Sequence, residues 1–338
     1  MSNSRIALAA DRFAALPEAG RIGIYNPRAE TDLSALPRDR LVLFQALRPE
    51  HDALAARGLA VAPEPEGALA AAVILVPRSR AQARGWIADA CARLPVGAPL
   101  WIDGARTDGI EPLLREVAAL AGPDETIAKA HGRIAAFRSP GPIPDWLARP
   151  SEVTPGFVTR PGVFSADGPD PGSVALAAAL PARLSGRIVD LGAGWGWLGA
   201  QVLDRPGVAS LVMVEADHVA VRCARQNVGD PRAQVVWADA TRPLPGIAAD
   251  VVVMNPPFHA GRACDPSLGA AFIAAAAGML VPSGELWMVA NRHLPYEAVL
   301  HRHFREVTEA PGTPSFKVLH ARRPAAGGGS PSRPDRLG

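Results

Sequence analysis

Short apolar runs recur along this chain, with room for a helix between successive ones. Arg21 to Tyr25 (RIGIY), Leu41 to Phe44 (LVLF), Leu69 to Val76 (LAAAVILV) and Leu100 to Asp103 (LWID) read as strands. Continuous apolar segments of this length suit a strand buried on both faces. Helices are expected over about 49–57, where Gly58 ends the segment, over 79–94 and near 110–120, with a further strand at Arg133 to Phe137. Residues 1–20 read as a short helical lead-in with Leu8, Phe13 and Leu16 on one face. This βαβ alternation predicts a parallel sheet covered by helices.

From Ser139 to about Gly172 the pattern stops. SPGPIPDWLARPSEVTPGFVTRPGVFSADGPDPG is too rich in proline and glycine for a helix or a central strand, so a linker and an irregular lid are expected there. Its aromatic residues Trp146, Phe157 and Phe164 are expected to pack. The alternation then restarts with strands at Arg187 to Leu191, Leu211 to Val214, Gln234 to Trp237, Val251 to Met254 and Glu285 to Ala290, and a helix over 267–280 capped by Asp265 and Pro266.

The chemistry gathers at the carboxyl ends of these later strands, where open α/β sheets bind ligands. Gly192, Gly194 and Gly196 follow the first of them in DLGAGWG. Glycines there let the backbone turn tightly and come close to a ligand. The G-x-G-x-G spacing and the bulk of Trp195 and Trp197 argue against a pyrophosphate, and Asp190 beside the turn suits a cationic ligand better. Glu215 ends the next strand, placed to take a ribose diol, and Asp239 follows the third, placed to accept from an adenine amine. The fourth strand ends in Asn255-Pro256-Pro257-Phe258. An amide oxygen, stiffly held carbonyls and an aromatic face suit a planar ring bearing an exocyclic NH2 group.

Composition narrows the setting. At 338 residues and 48% apolar, the chain has material for two cores. A net charge of +2 is far from that of a non-specific nucleic-acid binder, so a nucleic-acid partner would be held by local patches. Cys91, Cys223 and Cys264 form no CxxC pair and are expected as buried thiols in a reducing cytoplasm. No secretory leader or membrane span is expected, because Asp11 and Arg12 interrupt the start and the longest apolar run, Ala270 to Val281, is short. The stretch from Arg322 to Gly338 is expected to be a disordered tail. His259, His293 and His301 show no carboxylate at a telling spacing and are not taken as bases.

With VDLGAGWG, VEAD, WADA and MNPPF in succession, residues from about 160 to 322 resemble a class I S-adenosylmethionine-dependent methyltransferase. PGVFSADGPDPGS, NPPFHAG and GELWMVANRHLPYE resemble, more narrowly, the bacterial guanine-N2-methyltransferases of small-subunit ribosomal RNA. The resemblance implies S-adenosylmethionine as cofactor, held by Gly192, Gly194, Gly196, Glu215 and Asp239, with Asp190 beside them and with Phe164 and Asp170 over it from the lid. It implies that Asn255 and Pro256 hold the guanine amine and that Phe258 stacks on the base. The prolines on either side of Asp170 depart from the family pattern, in which an apolar residue more often precedes the acid.

The first half repeats the second in outline. RIGIYN aligns with RIVDLG, LVLFQA with LVMVEA, AAVILVP with DVVVMNP, and GAPLWID with GELWMVA. Ile24 then stands for Asp190, Gln45 for Glu215 and Val76 for Asn255, so the copy has kept strands and lost ligand groups. The expected fold is α/β: two tandem Rossmann-like methyltransferase domains, the first (1–140) degenerate and supporting substrate or fold, the second (173–323) active, with 141–172 between them and a tail from 324. Arg38, Arg40, Arg78, Arg80 and Arg84 lie where the first domain could meet phosphates. The expected partner is ribosomal RNA or the small ribosomal subunit, the expected form a cytoplasmic monomer, and no metal is expected. A large-subunit guanine-N2, DNA adenine-N6 or protein glutamine-N5 methyltransferase could use the same turn, and a non-catalytic RNA-binding assembly factor is the alternative of another class.

Overall fold

The computed structural model describes residues 4–257, 259–260, 263–264 and 266–325. The chain forms two compact units, Met1–Ser151 with Arg160–Gly162, and Glu152–Thr159 with Val163–Gly338. In the first, strands β1 (Ile22–Tyr25), β2 (Leu41–Phe44), β3 (Val61–Ala62), β4 (Ala71–Leu75), β5 (Pro99–Ala105), β6 (Pro123–Lys129) and β7 (Gly132–Arg138) form one sheet in the order β3-β2-β1-β4-β5-β7-β6. β1 runs parallel to β2 and β4, whereas β7 lies antiparallel between β5 and β6. The short β3 and the polar β6 carry too little apolar signal to be read from the sequence.

After the hairpin β8 (Ser151–Thr154) and β9 (Phe157–Thr159), the second unit builds β10 (Gly186–Leu191), β11 (Val208–Glu215), β12 (Ala233–Trp237) and β13 (Ala249–Met254). The small pair β14 (His259–Ala260) and β15 (Ala263–Cys264) precedes β16 (Leu280–Asn291), β17 (Phe304–Ala310) and β18 (Phe316–Pro324). Seven of these form the sheet β12-β11-β10-β13-β16-β18-β17, the same order as in the first unit, again with the next-to-last strand antiparallel. Both chain orders reverse beside the first strand, between β1 and β4 and between β10 and β13. That reversal opens a crevice at the carboxyl ends of the strands.

The central strands are buried throughout. β1, β2 and most of β4 have no exposed residue, and Val251 to Met254 are all buried. Helices cover both faces: in the first unit Ile87, Ala90 and Cys91 pack on one side of the sheet, and Ile6, Ala9 and Phe13 on the other. The leading helix is Arg5–Arg12, whose buried residues are Ile6 and Ala9, with Leu8 and Leu16 partly buried against the same core as Phe13. Cys91 and Cys223 are buried free thiols.

Three expectations change. The proline-rich stretch contains a strand pair as well as loop: Pro155-Gly156, with Gly156 at φ +80°, makes the turn between β8 and β9. Proline followed by a left-handed glycine is the signature of a tight turn, compatible with a two-stranded ribbon. Arg322 and Arg323 belong to β18 and pair with Glu285 and Glu306, so the last strand runs to Pro324 before any tail. The register also corrects the internal alignment by one position. Ile24 pairs with Val73 as Asp190 does with Val253, which puts Leu75, not Val76, at the place of Asn255.

Candidate active site

β10 delivers the chain into the glycine loop at the reversal point. Gly192, Gly194 and Gly196 have φ of +83°, +55° and +93°, a left-handed backbone that side chains rarely adopt. Their surroundings divide the work. A Cβ on Gly196 would press on Met213 and Val228 and one on Gly192 on Phe272, whereas Gly194 has nothing within 4 Å. Gly194 is the glycine that faces open space, and its N–H donates to Glu215 Oε2 at 2.7 Å.

Three acids lie around this loop. Glu215, at the end of β11, also accepts the Asp217 N–H at 2.8 Å. Burial raises its pKa, while the backbone N–H groups of Asp217, Gly194 and Ala216 pull it back. A carboxylate offers about four acceptor sites, so these N–H groups leave acceptor capacity for a ligand diol. Asp217 caps the helix His218–Asn227, and burial followed by the Glu215 charge pushes its pKa to about 7.

Asp190 is a correction. It was expected to show its charge beside the turn, but it lies one residue inside β10, between Met213 and Val253 of the flanking strands, and is fully buried. Neither carboxylate oxygen accepts a hydrogen bond of good geometry. Burial first, then the Glu215 charge, push its pKa to about 8, with the Gly199 N–H acting the other way.

The pH consequence has a definite sign. Asp190 and Asp217 hold their protons in the folded state well above the unfolded range, so the folded chain binds more protons and stability falls as pH rises. The thermal midpoint of the cofactor-free protein should fall as pH rises from about 4 to about 8, and Asp190→Asn should lessen the drop. A profile equally steep in the variant would contradict this origin.

β13 carries the second half of the site. It ends at Met254, and Asn255 and Pro256 follow beside the same crevice, Asn255 part-buried and Pro256 buried. Asn255 Nδ2 donates to Asp170 Oδ2 at 2.7 Å and to Ser173 Oγ at 2.9 Å. Asp170 lies at the start of the helix Pro171–Ala179, which it caps by accepting the Ser173 N–H at 2.9 Å. Ser173 was not read from the sequence, although an aspartate followed by a proline is a helix-capping signal that places the residue three on beside the acid.

Phe164, Asp170, Gly192, Gly194 and Asn255 line one cleft, about 390 Å³ with its open mouth included. Phe164 was expected to pack; instead it is 59% exposed at this cleft. Asp239 follows β12, where its Oδ1 accepts the Thr241 N–H at 2.9 Å and hydroxyl at 2.6 Å while Oδ2 faces Arg242 at 3.4 Å. Phe258 lies outside the described residues. Among the described residues no group of acids, histidines and cysteines could hold a metal ion, and no helix is long and apolar enough to cross a membrane.

The lid is tied to the glycine loop by Asn227, which the sequence did not single out, and by Trp195, which it did. Asn227 accepts the Val158 N–H and donates to the Val158 and Trp195 carbonyls, each at 2.8 Å. Trp195, which also lines the cleft, is buried against Phe157 and donates its indole N–H to the Ser165 carbonyl at 3.2 Å, so it joins the lid to the loop. Asn227→Ala removes three hydrogen bonds of about 1 kcal/mol each. It should lower the thermal midpoint and weaken cofactor binding together. A variant that keeps wild-type affinity would show that the lid's anchorage does not serve the site.

The first unit shows how such a site is lost. Asn26 (φ +59°) takes the turn of Gly192, and its N–H donates to Phe44 as that of Gly192 does to Val214. Gln45, at the place of Glu215, is buried and accepts the Leu47 N–H at 2.8 Å, but its amide nitrogen donates to the Pro27 carbonyl at 2.7 Å. Both ends of the side chain are used inside the protein. Its arginines are committed too. Arg40 donates to the carbonyls of Pro17, Ala19 and Gly20, Arg38 to that of Arg57, and Arg80 and Arg84 pair with Glu116. Of the five arginines expected to meet phosphates, these four have partners within the protein, and the Arg80 and Arg84 side chains remain 57% and 39% exposed.

The methyltransferase small domain model matches residues 155–320. A ribosomal RNA small subunit methyltransferase C of Pseudomonas paraeruginosa is 34% identical over 276 residues, covering 77% of this chain and 81% of the relative. A ribosomal RNA large subunit methyltransferase G of Ectopseudomonas mendocina is 37% identical over 193 residues, but covers 55% of this chain and 50% of that relative. Among solved structures, a 16S rRNA N2-guanine methyltransferase of T. thermophilus, in complex with AdoMet and guanosine, matches with a TM-score of 0.78 and 25% identity, covering 95% of this chain and 92% of the other.

Proposed function

The chain belongs to the ribosomal RNA small subunit methyltransferase C family, and from that premise we infer that its second unit transfers a methyl group from S-adenosylmethionine to the exocyclic N2 of a guanine in 16S ribosomal RNA. The observation that carries this reading is the meeting of the Gly194 loop and Asn255 in one cleft at the strand-order reversal. The residues present fit the cofactor. Gly194 leaves room, Glu215 keeps acceptor sites for a ribose diol, and the buried carboxylate of Asp190 lies beneath the loop, where a cation above it would favour ionisation. S-adenosylmethionine, when bound, supplies an electrophilic methyl on a sulfonium.

We assign the cofactor to Gly192, Gly194, Gly196 and Glu215, with Asp239 at the adenine end and Phe164 closing over it. Asn255 Oδ1 and the Pro256 carbonyl accept the two N–H bonds of the guanine amine, and Phe258 stacks on the base. The amine is a poor nucleophile because its lone pair is delocalised into the ring. Two acceptors in fixed positions turn that lone pair towards the methyl group and stabilise the positive charge that develops on nitrogen. No general base is required for the methyl transfer itself, since the proton leaves once the nitrogen has become acidic. A paired guanine must be flipped out or met unpaired.

Likeness over most of both chains favours the small subunit, since the large-subunit relatives match about half their own length. We assign catalysis to the second unit, and support of substrate or fold to the first, whose Gln45 is occupied. All the assigned residues come from one unit of one chain, which supports a monomer as the working form, and ribosomal RNA as substrate supports a cytoplasmic location. Nucleoside mapping of ribosomal RNA from a deletion strain tests the reading. One N2-methylguanosine should be missing from 16S RNA and restored by the intact gene; an unchanged 16S map would overturn it.

A further inference from the structure

We propose that Asp170 is a positioning residue, whose carboxylate determines which atom of the Asn255 amide meets the substrate. The proposal rests on the assignment of Asn255 as an acceptor for the guanine amine. An ionised carboxylate only accepts hydrogen bonds, so the amide must turn its nitrogen towards it. The two N–H bonds of Asn255 go to Asp170 Oδ2 at 2.7 Å and Ser173 Oγ at 2.9 Å. The atom left for a ligand is Oδ1, an acceptor. Rotated by half a turn, the same side chain would offer an NH2 group, which meets a guanine amine donor against donor.

Asp170 is well held for this task. Pro171 fixes the first residue of the helix that Asp170 caps, and the Ser173 N–H donates to the same Oδ2 that receives the Asn255 amide. Gly172 gives the carboxylate room, because a Cβ there would come within 2.9 Å of Oδ2. The cap, the amide and the serine hydroxyl form one polar cluster beside the cleft. Through it the site selects a base that presents N–H bonds at this position over one that presents a carbonyl.

The test uses the full chain with Asp170→Gly, Asp170→Asn and Asn255→Asp. Glycine is a tolerated helix cap, only slightly poorer than aspartate, so Asp170→Gly should nearly keep its thermal midpoint. It leaves the Asn255 amide with Ser173 Oγ, which can donate as well as accept, so the orientation is no longer dictated, and the single-turnover rate on unmodified 16S RNA should fall about tenfold or more, with cofactor affinity nearly unchanged. Asp170→Asn is the conservative control: the oxygen that caps the helix takes the place of Oδ2 and still accepts from Asn255, so the rate should stay well above that of Asp170→Gly. Asn255→Asp sets two carboxylates against each other and should be slower still.

A wild-type rate in Asp170→Gly, a loss of cofactor affinity matching the loss of rate, or an Asp170→Asn variant as slow as Asp170→Gly would overturn the proposal. The side-chain amide signals of Asn255 in nuclear magnetic resonance supply a readout independent of activity. They should be protected from solvent exchange in the cofactor-free wild type and lose that protection in Asp170→Gly. Unprotected signals in the wild type would overturn the proposal, whereas protection together with no methyl transfer to guanine would overturn the functional assignment alone.

Discussion

Glu215→Gln weakens S-adenosylmethionine binding by at least tenfold, and on the order of a hundredfold if both diol contacts go, since charge-assisted hydrogen bonds contribute about 1.5–3 kcal/mol each. The geometry explains why so small a change acts so strongly. Glu215 accepts two backbone N–H bonds, from Gly194 and Asp217, while keeping acceptor sites for a ligand. An amide has one oxygen, so one of those N–H groups would face an NH2 group. The first unit already contains this exchange: Gln45 bonds to Leu47 and Pro27 and offers a diol no charge. Calorimetric titration should therefore find one site per wild-type chain and much weaker binding in the variant. Two sites, or an unchanged affinity, would contradict both the site and the contrast between the units.

Asn255→Ala lowers the single-turnover rate of methyl transfer by about 10²–10³, the usual cost of losing one oriented electrostatic partner, about 2.7–4 kcal/mol. The fold and most cofactor binding should persist, because β13 ends at Met254 and the glycine loop hangs from another strand. Asp170 and Ser173 lose their amide partner but remain beside the cleft, within reach of water. A rate within a few-fold of wild type at saturating cofactor would mean that Asn255 only terminates a strand.

Much of the fold could be read from periodicity, because each central strand is a continuous apolar run buried on both faces, as at Val251 to Met254. Strands with a polar or very short pattern escaped, as at β6 and β3, where pairing with neighbours rather than burial holds the segment. The loop glycines and Glu215 were legible because their chemistry sits at fixed offsets from strand ends. Asp190 was read inside its strand, where it lies, but not as buried: one residue short of the strand end both faces of the sheet are still covered, and the acid is out of solvent. A one-residue difference in register moved the counterpart of Asn255 from Val76 to Leu75.

The contacts among distant residues were out of reach of the sequence. Asn227 and Val158 are 69 positions apart, and Asn255 and Asp170 are 85 apart. Nothing local marks such pairs, because polar side chains at helix and strand ends are common and only the fold selects which of them meet.

Single-turnover transfer of labelled methyl from S-adenosylmethionine to unmodified 16S RNA, followed by digestion to nucleosides, tests the central assignment most directly. Wild-type protein should place about one label per RNA, all of it in N2-methylguanosine. Parallel reactions with 23S RNA, DNA and protein substrates should take up none. Label in methyladenine, in 23S RNA or in a glutamine side chain, or no transfer by a protein that binds the cofactor, would contradict it.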